Sequence, residues 1–258
     1  MPSPRRAVLG GRVVAQAGQL DGYLDRIVER DFAEQDRPLR DPAGLRRWLA
    51  AYAAATATTA SFESIRDAAV GGNSQSPARS TTAAYRHVLE QLWILDPVEA
   101  WLPTRNHLTR LAAPAKHHLA DPALAARLLG ADVGALLDAV PIGPPVPRNG
   151  PLLGHLFESL VVLGVRVQAQ AAEASVRHLR TKGGEREIDL IVERADHRVV
   201  AIEVKLGAVV DDNDVRHLRW LRDALGPDLL DAVVVTTGAE AYRREDGVAV
   251  VPAALLGP

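Results

Sequence analysis

Cysteine is absent from all 258 residues, which excludes a disulfide framework and any cysteine-ligated zinc, and fits a reducing compartment. Methionine occurs once and aromatic residues make up only 4% of the chain, against an abundance of Ala, Arg, Gly and Pro. That skew matches a GC-rich coding sequence, and it weakens propensity arguments because alanine fills many surface positions. A large excess of positive charge is missing too: the formal net charge is −2, so nucleic-acid binding would have to rest on local patches. The basic N-terminus lacks the apolar run of a signal peptide, and no later stretch is expected to span a bilayer. These absences predict a soluble, cytoplasmic protein with no membrane partner. Its length suffices for one large domain or two ordinary ones, with a full hydrophobic core.

What is present begins with helices. Residues 19–33 place Leu20, Tyr23, Leu24, Ile27 and Val28 at helical spacing. A second helix starts after Asp41, where Pro42 suits the first helical position, with Leu45, Trp48, Leu49 and Tyr52 as its apolar stripe. Ser61 can cap a third, FESIRDAAV, and a fourth opens at Ser80 or Thr81 and runs through TAAYRHVLEQLWIL. The segment ILDPVEAWLP that follows suits a strand and turn, so a winged-helix unit is expected over residues 40–112. Further on, KHHLADPALAARLLG (116–130) holds an Asp121-Pro122 helix start and a glycine stop after Leu129.

Five prolines and two glycines in PIGPPVPRNGP mark residues 141–151 as a linker, separating a helical region (1–140) from a second domain (152–258). That domain opens with a helix, LLGHLFESLVVLGVRVQAQ. Four runs rich in Val and Ile follow, EASVRHLRT, EREIDLIVER, RVVAIEVKL and AVVVTTG, with the amphipathic helix NDVRHLRWLRDALG before the last. The order α-β-β-β-α-β predicts a mixed α/β fold.

Strand alternation puts Glu203 and Lys205 on one face of RVVAIEVKL, with Ile202 and Val204 on the other. On EREIDLIVER, Glu187 and Asp189 alternate with Ile188 and Leu190, and the short loop at 195–198 lets a hairpin bring Asp189 beside Glu203. A solvated E-x-K pair would be energetically trivial. Here the strand is otherwise apolar, so its charges should be costly unless used. Two carboxylates converging beside a lysine suit a hard divalent cation, Mg²⁺ or Mn²⁺, with Lys205 orienting water or neutralising charge in a transition state.

These residues resemble the PD-(D/E)XK nuclease superfamily, whose pattern reads here as Glu158, Asp189, Glu203, Val204 and Lys205. More narrowly, GPLLGHLFESLVV and LRTKGGEREIDLIVERADHRVVAIEVKLG resemble the domain of unknown function 4143 found at the C-terminus of AAA-type ATPases. YLDRIVERDF and KHHLADPALAARLLG are similar to that family's upstream helices. The resemblance implies a restriction-endonuclease-like domain in which Glu158, Asp189 and Glu203 supply carboxylates to a metal, the Val204 carbonyl adds a ligand, and Asp189, Glu203 and Lys205 form the catalytic set. Arg180 matches an arginine that would meet phosphate, and reads equally as a hairpin arginine in solvent. Ile188 stands where the superfamily name has proline. No G-x-x-x-x-G-K-[ST] loop occurs, so no nucleotide site is expected in this chain and any ATPase would be a separate partner.

Several single residues keep a bland alternative. Glu158 is the only charge within the apolar stretch 152–163 and could simply emerge at the helix edge, while His155 reads as a packing or surface histidine. His107, His117 and His118 lack a partner set for zinc. In the winged-helix unit, Arg79, Ser80, Thr81, Thr82, Tyr85 and Arg86 would face a DNA major groove, although such units also serve as protein-contact modules. The leading expectation is Mg²⁺-dependent hydrolysis of DNA. Its rivals are a catalytically silent DNA- or protein-binding module partnering an ATPase, and a winged-helix regulator whose α/β domain dimerises.

Overall fold

A computed structural model describes residues 18–32, 39, 41–70, 76–103, 113–132, 136 and 150–256. His107 and residues 141–149 of the proline-rich segment lie outside them. The chain divides into two compact units, one of residues 1–55, 60–95 and 123–146, the other of residues 56–59, 96–122 and 147–258. Its architecture is mixed α/β, a helical N-terminal region followed by a sheet domain.

The first unit is helical. Helix α1 covers residues 18–32 and includes a π-helical turn at Ile27–Asp31. Leu24, Ile27, Val28 and Phe32 are buried on it, whereas Tyr23 of the expected stripe is exposed. Helix α2, Pro42–Ala54, begins as its sequence predicts: Asp41 accepts from the Gly44 amide at 2.8 Å, and proline occupies the first turn. Leu45, Trp48, Leu49 and Tyr52 are buried along its stripe. Helix α3, Phe62–Ala68, is capped by the Ser61 hydroxyl. Helix α4, Arg79–Gln91, has no side-chain cap and packs Tyr85, Val88 and Leu89 inward. Helix α5, Pro122–Leu128, ends at Gly130, whose φ of +65° suits glycine. Arg127 binds Asp21 with both its Nε and Nη2.

The second unit is built on a six-stranded sheet. Helix α6, Gly150–Ala171, leads into β1 (Ser175–Arg180), β2 (Glu187–Glu193) and β3 (Val199–Lys205). Then come helix α7 (Arg216–Leu225), β4 (Leu229–Thr236), β5 (Tyr242–Arg243) and β6 (Ala249–Pro252). Spatial order is β1-β2-β3-β4-β6-β5, with β3, β4 and β6 parallel and the other neighbours antiparallel. The two sheet faces bury separate cores. Val161, Val162 and Val165 of α6 pack on Leu190, Ile202 and Val235, while Val215, Leu218 and Leu221 pack on Ile191, Ala201, Ala232 and Val234.

By length and composition alone, residues 151–171 of α6 could cross a membrane. Leu156, Val161, Val162, Val165 and Ala169 are buried on this helix, and Leu160, Leu163 and Val167 are exposed on its other side.

The segment expected to form a wing pairs with a distant stretch of the second unit. Asp96 donates its amide to His118 O, and Val98 and Lys116 exchange amide bonds at 2.9 Å. Ala100 bridges His178 of β1, whose carbonyl accepts the Trp101 amide. This pairing anchors residues 113–118 against the sheet domain, which matters for the site.

Candidate functional site: a buried cluster of acids and lysines

The site forms where the β2–β3 ladder stops. Paired residues run from Glu193 opposite Val199 to Leu190 opposite Ile202. Beyond Leu190 the backbone departs from regular pairing: between Arg177 and Leu179, β1 advances two residues while β2 advances three, from Ile191 to Ile188. The extra residue is a bulge, a device that re-aims side chains beside functional sites. Strict alternation, expected to put Ile188 and Leu190 on one face, is therefore broken. Ile188 joins Ile191 in the α7-side core and Leu190 joins the α6-side core.

Asp189 stands in this irregular stretch, freed from the ladder. Its Oδ2 accepts the Val204 amide at 2.9 Å, replacing a strand acceptor with a carboxylate, and its Oδ1 accepts from Lys116 Nζ at 3.0 Å. Glu203 and Lys205 do share a face, with Lys205 Nζ 2.9 Å from Glu203 Oε1 and 3.9 Å from Asp214. Glu203 is buried, and its Oε2 has no hydrogen-bond partner among the described residues.

Lys116 is the member that motif reasoning missed. Its side chain is only 2% exposed, and Nζ lies 2.9 Å from Glu158 of α6, 3.0 Å from Asp189 and 3.2 Å from Glu187. No local pattern announces this, since Glu158 is 42 residues away and Asp189 is 73. Lysine within the KHHLAD stretch was singled out only by family resemblance, and its flanking histidines were the sole further signal. His117 and His118 are buried beside it, and His118 Nδ1 lies 3.2 Å from the Ser159 hydroxyl.

Burial decides the electrostatics. It pushes Glu158 up to about 8, helped by the Asp189 charge and opposed by Lys116. Glu203 is pushed up to about 8 by the same two causes, opposed by Lys205. For Lys116, burial favours the neutral amine, but Asp189, Glu158 and Glu187 outweigh it and raise its value. Lys205 is likewise raised, with Glu203 overcoming burial. Nearby histidines go the other way. Burial, then the Lys116 charge, pulls His118 down to about 3 and His178 down to about 4. His155, one turn before Glu158, is lowered by burial and by Lys116, so it too lies within the field of the cluster.

Arg180 lies 3.4 Å from Glu187, partly exposed at the rim of the same group. Arg79, Thr81, Thr82 and Arg86 sit on α4 in the helical unit. There Arg79 is 3.9 Å from Glu63, Thr82 donates to Arg79 O, and the Arg86 guanidinium lies 4.5 Å from the Phe62 ring centre.

The donor chemistry suits a hard divalent cation: every acceptor is a carboxyl oxygen, and Glu203 Oε2 is buried without a hydrogen-bond partner among the described residues. Among the described residues, no three His, Asp or Glu side chains are grouped closely enough to hold such an ion. What Glu158, Glu187 and Asp189 share instead is the Lys116 ammonium.

Comparison with known proteins adds matches to families of unknown function and no activity. No curated protein matches. A chain in the structure titled "Refined half-complex from tetradecameric assembly of Thermococcus gammatolerans McrB AAA+ hexamers with bound McrC" is 14% identical. The alignment covers 79% of this chain and 70% of that one, with a TM-score of 0.28, too low to support any argument. Residues 7–134 match the family described as Domain of unknown function (DUF8612). Residues 153–256 match the family described as Domain of unknown function (DUF4143), the family that this part of the sequence resembles.

Proposed function

We propose that the sheet domain, completed by Lys116, is a PD-(D/E)XK-type hydrolase that cleaves phosphodiester bonds of DNA with Mg²⁺ or Mn²⁺. One observation carries this: the Asp189 carboxylate acts on both Glu203 and Lys205 at a bulged strand end, with Glu203 Oε2 buried and unpaired among the described residues. Asp189, Glu203 and the Val204 carbonyl would hold the ion, with Glu158 close by. When bound, it would polarise a phosphoryl oxygen and acidify a water.

The protein's own groups have separable roles in this scheme. Glu203 fixes the Lys205 ammonium, which is positioned to neutralise charge developing on the phosphate. The Val204 amide fixes the Asp189 carboxylate. Arg180 at the rim would meet a neighbouring phosphate, and Arg79, Thr81, Thr82 and Arg86 of α4 would contact the DNA backbone or bases. Family resemblance to ATPase C-terminal domains supports a separate ATPase as partner.

A second reading is favoured by the position of Lys116. An ammonium already satisfying three carboxylates is what a catalytically silent, DNA- or protein-binding descendant of such a site would retain. Calorimetric titration of Mg²⁺ and Mn²⁺ into wild type and Asp189→Ala separates the two, with plasmid and single-stranded DNA cleavage followed on the same samples. Binding and cleavage that both vanish in the variant are expected for the hydrolase. Intact DNA and no bound ion in wild type would establish the silent module.

A further inference from the structure

This inference rests on the hydrolase reading and concerns the residue that no motif placed. We infer that Lys116 is a resident cation of the site: its ammonium holds Glu158, Glu187 and Asp189 as a divalent ion would, and so keeps them from binding one. The chain can then accept a divalent ion only on the Glu203 side of Asp189. Neutralising Lys116 opens a second position.

Lysine offers three N–H donors and no acceptor, and here two of them go to Glu158 and Asp189, with a Glu187 oxygen 3.2 Å away as a third ion-pair partner. The ammonium is therefore engaged by three of the protein's own carboxylates. Its reach also sets the spacing of the acids. Oxygens held about 3 Å from a nitrogen stand too far out for Mg²⁺, which needs oxygens at about 2.0–2.1 Å. That spacing accounts for carboxylates that converge on one point without forming a metal-sized group.

Two further facts separate Lys116 from an incidental ion pair. Its backbone is pinned by reciprocal amide bonds with Val98 at 2.9 Å, and the next amide donates to Thr58 O, so the ammonium is delivered by a fixed strand. Meanwhile the buried Glu203 Oε2 remains unpaired among the described residues, although Lys205 already binds the other oxygen. One part of the cluster is thus filled by ammonium and the other retains a carboxyl oxygen without a partner among the described residues. Asp189 joins them, with Oδ1 on Lys116 and Oδ2 on the Val204 amide.

Calorimetric titration of Mn²⁺ into the full chain, into Lys116→Gln and into the charge-retaining Lys116→Arg reads the stoichiometry directly. Lys116→Gln is expected to bind one ion more per chain than wild type, and Lys116→Arg the wild-type number. Equal stoichiometry and affinity in wild type and Lys116→Gln overturn the role of Lys116, even where Asp189→Ala abolishes wild-type binding and hydrolysis stands. Binding by Lys116→Gln but not by wild type supports that role while removing metal-dependent hydrolysis from the native chain. No binding by any of the proteins overturns both. Should Lys116→Gln fail to fold in metal-free buffer, added Mn²⁺ must restore its near-ultraviolet circular dichroism, because the ion supplies the missing charge. Absence of rescue counts against the inference.

Discussion

Glu158, Glu187, Asp189 and Glu203 share two ammonium groups, Lys116 and Lys205. Were every carboxylate ionised, the cluster would keep an uncompensated negative charge in surroundings that solvate it poorly. Protons relieve the excess, which is why Glu158 and Glu203 are pushed up to about 8. A carboxyl raised in this way contributes stability that is complete below its unfolded value of 4.5 and is lost as pH rises through its folded value. The metal-free protein should therefore lose stability progressively from pH 4.5 to 8 on account of these two groups. His118 and His178 act at the other end, because their neutral forms support the fold above 6.5 and cost stability as pH falls toward 3 or 4. Glu158→Gln keeps the volume and removes one of the two raised carboxyls. Thermal unfolding followed from about pH 6 to 9 should show roughly half the wild-type loss in that variant. An unchanged profile would mean that Glu158 is ionised throughout.

Elements decided by local chemistry are legible in the sequence. Asp41 and Pro42 fix the start of α2, Ser61 that of α3 and Gly130 the end of α5, each through a hydrogen bond or dihedral that needs no distant partner. β1, β2, β3 and β4 follow their Val- and Ile-rich runs, and α7 buries the face marked by Val215, Leu218 and Leu221. Leu218 is fully buried there, so Leu218→Ala should cost about 2–5 kcal/mol in chemical denaturation, the range for emptying a core leucine site. A loss no larger than that of a surface substitution would remove α7 from the core. Elements that depend on pairing are not legible. β5 is two residues long, and β6 ends in Pro252, so neither carries a strand pattern until β4 provides an edge for β6 and β6 one for β5. The bulge in β2 escapes for the opposite reason. Alternation assumes a period of two, and the extra residue that turns Ile188 away from Leu190 leaves no mark on composition. Asp189, Glu203 and Lys205 could be picked out because they lie on neighbouring strands of one hairpin. Lys116 could not, because only the tertiary fold delivers it.

At the scale of the molecule, the family segment 153–256 is not self-sufficient. Val98 belongs to the α6-side core, Trp101 to the α7-side core, and Lys116 supplies the cluster with its most buried positive charge. All three lie in residues 96–122 of the same compact unit. A fragment of residues 150–258 should therefore unfold without a cooperative transition in metal-free buffer, while the full chain unfolds cooperatively. A sharp transition in the fragment, read by circular dichroism in urea, would show that the sheet carries its own stability.

The distance along the chain between Lys116 and its partners also orders events in time. The β2–β3 hairpin closes across a loop of a few residues, whereas the bond from Lys116 to Asp189 spans 73. Long closures cost more chain entropy and are made late. By this ordering the hairpin is expected to assemble its acids before the lysine arrives. Divalent ions in the surrounding solution would then compete with the chain's own lysine for these acids, and refolding with and without Mn²⁺ would show the competition as a change in rate.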